Sequence, residues 1–218
     1  MLTQEANRPR FARSSVSLRE MIRIYDACIQ VREISKEQLD LSDEMALIAT
    51  NAEIAAAKST LNKEAFIVLA NETGKIALQM SAHVASILQD SDRLAQDALV
   101  GVQRTRRLKH FHEGRRLVQD AENAQAVGEV IGNLEGVLSD IYANILGRLD
   151  QIEQGRQAIS KQTVKVARII TYFRIEASRD DLYGAYFRNI GDDLDSLCQT
   201  AHTVSDQMGA VLAAAQHP

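Results

Sequence analysis

Apolar residues recur along this chain in alternating steps of three and four, the spacing that keeps them on one face of an α-helix. The longest faultless run is Ile24, Ala27, Val31, Ile34, Gln38, Leu41, Met45, Ile48, Ala52 and Ala55, a heptad seam of the kind found in coiled coils and long bundles. It predicts a first helix that begins near Ser17, with a serine cap and Glu20 in the first turn, and stops near Lys58, where STLNKE supplies cap and turn formers. A second helix follows from about Lys63, with Phe66, Leu69, Ile76, Met80, Val84, Ile87, Leu94, Ala98 and Val102 on its inner side. His83 joins that stripe and reads as a core histidine bonded to a neighbour. A third and longest helix is expected from about Asp120 to Arg179, marked by Ile131, Leu134, Leu138, Ile141, Ile145, Ile152, Ile159, Val166, Ile170, Phe173 and Ala177. Gly184 is expected in the turn before a fourth helix, from about Tyr186 to Ala215, whose seam is Leu194, Leu197, Ala201, Val204, Met208, Val211 and Ala215. No stretch alternates with period two, so the fold class is all-α. Gln38 is the one polar residue in the first seam, and it reads as a polar layer that fixes register.

The pattern also repeats. Residues 46–77 and 167–198 align without a gap at a shift of 121. Ala46, Ile48, Thr50, Ile54, Ala56, Leu61 and Phe66 meet Ala167, Ile169, Thr171, Ile175, Ala177, Leu182 and Phe187. Two copies of one helical hairpin in a single chain imply two equivalent turns, at about 59–64 and 180–185. They also ask for a reversal of the chain near its midpoint.

Both copies resemble the signalling hairpin of bacterial methyl-accepting chemotaxis receptors. In the first copy Asn51, Ile54, Ala56, Ala57, Lys58, Phe66, Val68, Ala70, Glu72 and Ala77 stand in register with that family. In the second, Ile175, Glu176, Ala177, Arg179, Gly184, Phe187, Asp193 and Leu197 do. The spacing from isoleucine to phenylalanine across the turn equals the family's in both. The first copy lacks the family's turn glycines, and Leu61 and Leu182 replace an acidic residue. The resemblance covers about a third of the chain. It implies an elongated antiparallel four-helix bundle, a single-chain counterpart of the receptor dimer's cytoplasmic signalling domain. By the same resemblance the hairpin tips would contact sister receptors, a coupling protein and a histidine kinase. The positions to examine are Asn51, Lys58, Leu61, Glu64, Phe66 and Val68 with Tyr172, Glu176, Arg179, Leu182, Tyr183 and Phe187. Phe66 and Phe187 read best as tip packing, whereas Leu61, Leu182 and Tyr183 would be exposed apolar groups and hence a contact surface.

Composition narrows this picture without redirecting it. Aromatics make up 5%, tryptophan is absent, and the only prolines are Pro9 and Pro218, so the core is aliphatic and no proline interrupts the helices. Cys28 and Cys198 lie on apolar faces and read as buried thiols. A net charge of −4 argues against nucleic acid as a general partner, and no apolar run is long enough to span a membrane, which together suggest a cytoplasmic protein. Residues 1–16 are expected to be a disordered lead-in, 17–113 the first hairpin and 120–216 the second.

The segment RTRRLKHFHEGRR at 104–116 stands apart. As a basic helix end it suits the negative pole of the helix dipole, with Gly114 just past the last turn and Asp120 and Glu122 opening the next helix. As a binding site it would be an anion patch built from Arg104, Arg107, Arg115 and Arg116 with His110 and His112. If the chain turns here the molecule is a monomeric bundle. If it does not, helices two and three fuse and two chains pair as a swapped homodimer. The Gly128, Gly132 and Gly136 run lies on one face of the third helix, permitting either close approach of a neighbour or local looseness. No nucleophile with a matched base, no metal-ligand spacing and no glycine-rich phosphate loop occurs, so the chain is read as neither an enzyme nor the holder of a cofactor. Against the signalling role stand two alternatives: a structural or oligomerising bundle without kinase coupling, and a binder of anions or nucleic acid through 104–116.

Overall fold

The structure, a computed structural model, describes residues 17–59, 63–180 and 182–216. The described residues form four helices, α1 (Leu18–Lys58), α2 (Lys63–Arg115), α3 (Ala121–Ala177) and α4 (Gly184–Gln216), with no strand among them. Helix α1 packs on α2 and α4, and α3 on the same two, while the diagonal pairs do not meet through their backbones. Few residues separate consecutive helices that pack on each other, so neighbours run antiparallel and the architecture is an all-α four-helix bundle.

Local chemistry sets the helix ends. Ser17 opens α1 through a capping box: its Oγ accepts from the Glu20 N–H at 3.2 Å, and its own N–H donates to Glu20 Oε2 at 2.6 Å. Asp120 caps α3 by accepting from the Asn123 N–H at 3.3 Å. The reversal between α2 and α3 falls at 116–120, close to where the repeat requires it. Gly114 is not the residue beyond the helix, however, because α2 continues through Arg115. The helix tightens instead of ending on a left-handed glycine, with Leu117 N–H donating to the Gly114 carbonyl at 2.9 Å and Arg116 N–H to that of Glu113 at 3.3 Å. At the other end of the bundle Gly184 belongs to α4 as its first residue. A Cβ there would collide with the Ala177 carbonyl oxygen, so glycine is what lets α4 start against the end of α3.

The core follows the three-four seams. Ile24, Ala27, Val31, Leu41, Met45, Ala52 and Ala55 of α1 are buried as the pattern predicts, and so are the corresponding residues of the other helices. Each large side chain removed from water contributes roughly 1.5–3 kcal/mol. Ile34, Ile48, Leu69, Ile141 and Val211 lie at the margin of the core and are only half-buried. His83 is also half-buried and makes no hydrogen bond among the described residues, in contrast to the bonded core histidine expected. The close approaches between helices occur at Gly101, packed on Met21, and at Gly155, packed on Ile87. They do not occur along the Gly128 run: Gly132 and Gly136 face open space, and Gly128 meets only the Arg115 guanidinium, at 3.9 Å.

The sequence repeat becomes a pseudo-twofold axis in the structure. Phe66 and Phe187 are equivalent in the repeat, and their rings stack across the axis with centroids 3.5 Å apart and planes at 8°. Ser59 and Asp180, also equivalent at the 121-residue shift, are joined by a 2.9 Å bond from Ser59 Oγ to Asp180 Oδ2. Phe173 completes the aromatic layer, 6.1 Å from Phe66 and 6.4 Å from Phe187. Its counterpart Ala52 is small, so one bulky ring fills space that two would overfill.

The bundle thins away from this layer. Helix α1 starts three residues before Met21, which packs on Gly101, and α4 ends seven residues after Gly209, which packs against Arg156. Among the described residues, α2 and α3 alone continue beyond those levels to their turn, as a two-helix projection.

Candidate interaction surfaces at the two ends of the bundle

At the hairpin tips the exposed faces are shaped by residues that fall off the seams. On α1, Leu47, Asn51, Ile54 and Lys58 are spaced four, three and four and are all exposed, forming one outward stripe. The equivalent positions, Arg168, Tyr172 and Ile175 on α3 and Arg179 in the turn beyond it, make a second exposed stripe related to the first by the pseudo-twofold. Each stripe carries an isoleucine at its third position and a cation at its tip end. Glu64 and Val68 on α2 are exposed, and Leu182 in the second turn is 74% exposed. Lys58 closes the last turn of α1, where a cation meets the negative end of the helix dipole.

Several tip positions singled out by sequence play other roles. Phe66 and Phe187 are fully buried and cannot touch a partner. Tyr183 is half-buried against the core rather than exposed, because it lies in the first tight turn leading into α4. Glu176 is half-buried and pairs with Arg179 at 3.0 Å. Leu61 lies outside the described residues. Ile54, Ile175, Leu47 and Tyr186 are exposed apolar residues that the contact set drawn from the sequence omitted. The signal was present: Leu47 and Ile54 fall off the three-four seam of α1, and the repeat returns their spacing at Arg168 and Ile175.

Between the tips the geometry is held by Asp180. Its Oδ1 accepts from the Tyr183 N–H at 2.8 Å and the Leu182 N–H at 3.0 Å, and its Oδ2 accepts from Ser59 Oγ. These bonds, led by that of the Tyr183 N–H and opposed by burial, hold its carboxyl below the usual carboxylate range. A single carboxylate thus starts α4, closes the second turn and ties it to the first.

At the opposite end the basic segment does not converge on one point. Arg107 lies over the Phe111 ring, 5.7 Å from its centroid, and Arg115 reaches across to Gly128 on α3. Arg104 is half-buried, while Arg106, Arg107, Arg115 and Arg116 are exposed. His112 Nε2 stands 3.5 Å from Glu135 on α3, and His110 Nδ1 stands 3.6 Å from Glu113. No group of three or more potential metal ligands occurs among the described residues. Leu117, at the apex of the turn, is 82% exposed.

The flanks carry two shallow, solvent-open grooves. One, between α3 and α4, is about 380 Å³ and is bordered by Glu153 and Arg156, which pair with each other at 2.6 Å. The other, between α2 and α3, is about 490 Å³ and is lined by His83, Asp90, Arg93 and three glutamines. Ser86 also lines the second groove, but no hydrogen bond joins it to His83 or Asp90 among the described residues. No described helix is long and apolar enough to cross a membrane. Comparison of the chain with protein-family models, with curated proteins and with solved structures finds no match.

Proposed function

We propose that this protein is a receptor-like signalling or adaptor module that acts in the cytoplasm by protein–protein contact through its hairpin tips. The observation that carries the reading is the pair of outward stripes, Leu47–Asn51–Ile54–Lys58 and Arg168–Tyr172–Ile175–Arg179, set at equivalent places about the pseudo-twofold. Helices that meet only water have no use for isoleucine at matching exposed positions, and exposed apolar groups rimmed by charge are the usual mark of a contact surface. The partners implied by the resemblance are chemotaxis receptors, their coupling protein and a histidine kinase. The tip would work as a rigid platform: the stacked rings beneath it and the Ser59–Asp180 tie hold both hairpins in one geometry.

The reading is tested by mixing the full chain with the histidine kinase and coupling protein of the same organism, then following co-sedimentation and kinase autophosphorylation. Wild-type protein should co-sediment and alter the phosphorylation rate. Ile54→Asp together with Ile175→Asp should reduce both effects more than tenfold with an unchanged melting curve, because both side chains are exposed. Absence of any effect from wild-type protein would favour a structural bundle without kinase coupling.

A further inference from the structure

We infer that the flanks of the bundle take a second copy of this chain: the acidic outer face of α1 in one molecule seats on the basic outer face of α3 in the next. The pseudo-twofold supplies the geometry. Helices α1 and α3 occupy opposite corners of the bundle, so their outer faces look in opposite directions, and residues equivalent in the repeat lie at the same height. Their charges are inverted. Residues 37–57 hold five acids and no base, whereas the equivalent residues 158–178 hold four bases and one acid. Asp40 and Glu44 stand where the second copy of the repeat has Lys161 and Lys165, and all four are exposed.

Neither flank is neutralised within the molecule. Arg174 is held by Asp192 and Asp195 at 2.9 Å, and Arg32 by Asp92 at 2.7 Å. In contrast, Asp40, Glu44, Lys161, Lys165 and Arg168 have no ion-pair partner among the described residues. Asp40 and Glu44 are four apart on one helix, as are Lys161 and Lys165, so each pair repels itself along its own face. A sideways translation of one molecule relieves both. It sets Asp40 against Lys161 and Glu44 against Lys165 of the neighbour, and Leu47, 59% exposed, against the methylene stem of Arg168. Because α1 and α3 run in the same direction, the match holds along both helices. Such a contact joins two different faces and does not close, so a pair still presents one free flank of each sign and further copies add in a row. Exposed ion pairs are individually weak and screened by salt, so dilute protein is monomeric and rows form where copies are concentrated. The contact needs no kinase or coupling protein.

Sedimentation velocity of the full chain over a range of concentrations tests the inference. At about 0.01 M salt, where the Debye length is about 30 Å, the average mass should rise with concentration past that of two chains. At about 1 M salt, where that length is about 3 Å, it should stay at one chain. Asp40→Lys with Glu44→Lys makes both flanks basic, and Lys161→Glu with Lys165→Glu makes both acidic, so each variant alone should remain monomeric at low salt. An equimolar mixture of the two should assemble again, since each then offers the charge that the other lacks. All four side chains are exposed, so matching circular dichroism and melting curves keep the variants interpretable. Wild-type protein that stays monomeric at low salt, variants that assemble alone, or a mixture that does not assemble would each overturn the inference.

Discussion

Asp180 shows how much of the tip rests on one charge. Its carboxylate accepts three hydrogen bonds that its protonated form cannot all keep, and its affinity for a proton is lowered in the folded state. A lowered folded-state value means that the stabilisation is complete above the unfolded carboxyl's range and is lost as pH falls through the folded one. The advantage of wild type over Asp180→Asn in denaturant titrations should therefore be constant from pH 7 to 5 and shrink below about pH 4. Gln38 presents the opposite case. It is 1% exposed, and neither its amide nitrogen nor its carbonyl oxygen has a partner among the described residues. A buried orphan of this kind costs about 1–3 kcal/mol, so Gln38→Met, which keeps the length of the side chain, should raise the unfolding free energy by an amount of that order and move the denaturation midpoint up with it. A drop in the midpoint would mean that the amide is hydrogen-bonded in solution. Burial pushes the thiols of Cys28 and Cys198 up to about 12, so neither should react with a disulfide reagent at pH 8 until the bundle unfolds.

Among the elements, α1 is the most legible in the residue order: both its ends and its buried face match the seam that the sequence displays. The margin of the seam is less so. Ile48 satisfies the three-four rule but is half-buried, because the inward direction at that level is shared with Met45, Ala49 and Ala52. Ile170 on α3 is 2% exposed. Ile170→Asp should thus abolish cooperative melting, whereas Ile48→Asp should only lower the melting temperature, since its carboxylate can reach water. The aromatic layer gives a third comparison. Phe187→Ala empties space beside Phe66 and Phe173 and should cost about 3–5 kcal/mol, read from denaturant titration.

At the scale of the whole molecule, the decisive event is the reversal at 116–120. It brings the two hairpins together in one chain, so that Phe66 meets Phe187 and Ser59 meets Asp180 within the same molecule. The longest helix has 57 residues, about 85 Å at 1.5 Å per residue, and the scattering profile in solution should extend to roughly that length with the mass of one chain. A maximum dimension near twice that, with a dimer mass, would show that α2 and α3 fuse and exchange hairpins between two chains.

Helix content, the buried stripes and the internal repeat were determined by the sequence itself, because a period of three to four and a duplicated pattern are properties of residue order. What only the tertiary structure decided are matters of distance between residues far apart in the chain. The repeat does not say that its two copies share an axis, and Phe173 opposite Ala52 is intelligible only once both rings of the stack are in place. Tyr183 reads as an exposed turn residue until the packing of the second turn against the core half-buries it. The glycines divide the same way: Gly132 and Gly136 on α3 look like part of a contact face yet meet open space, while Gly101 and Gly155 sit where two helices touch. The periodicity of a single helix specifies which way a residue points, but how near its neighbour comes depends on where the partner helix lies.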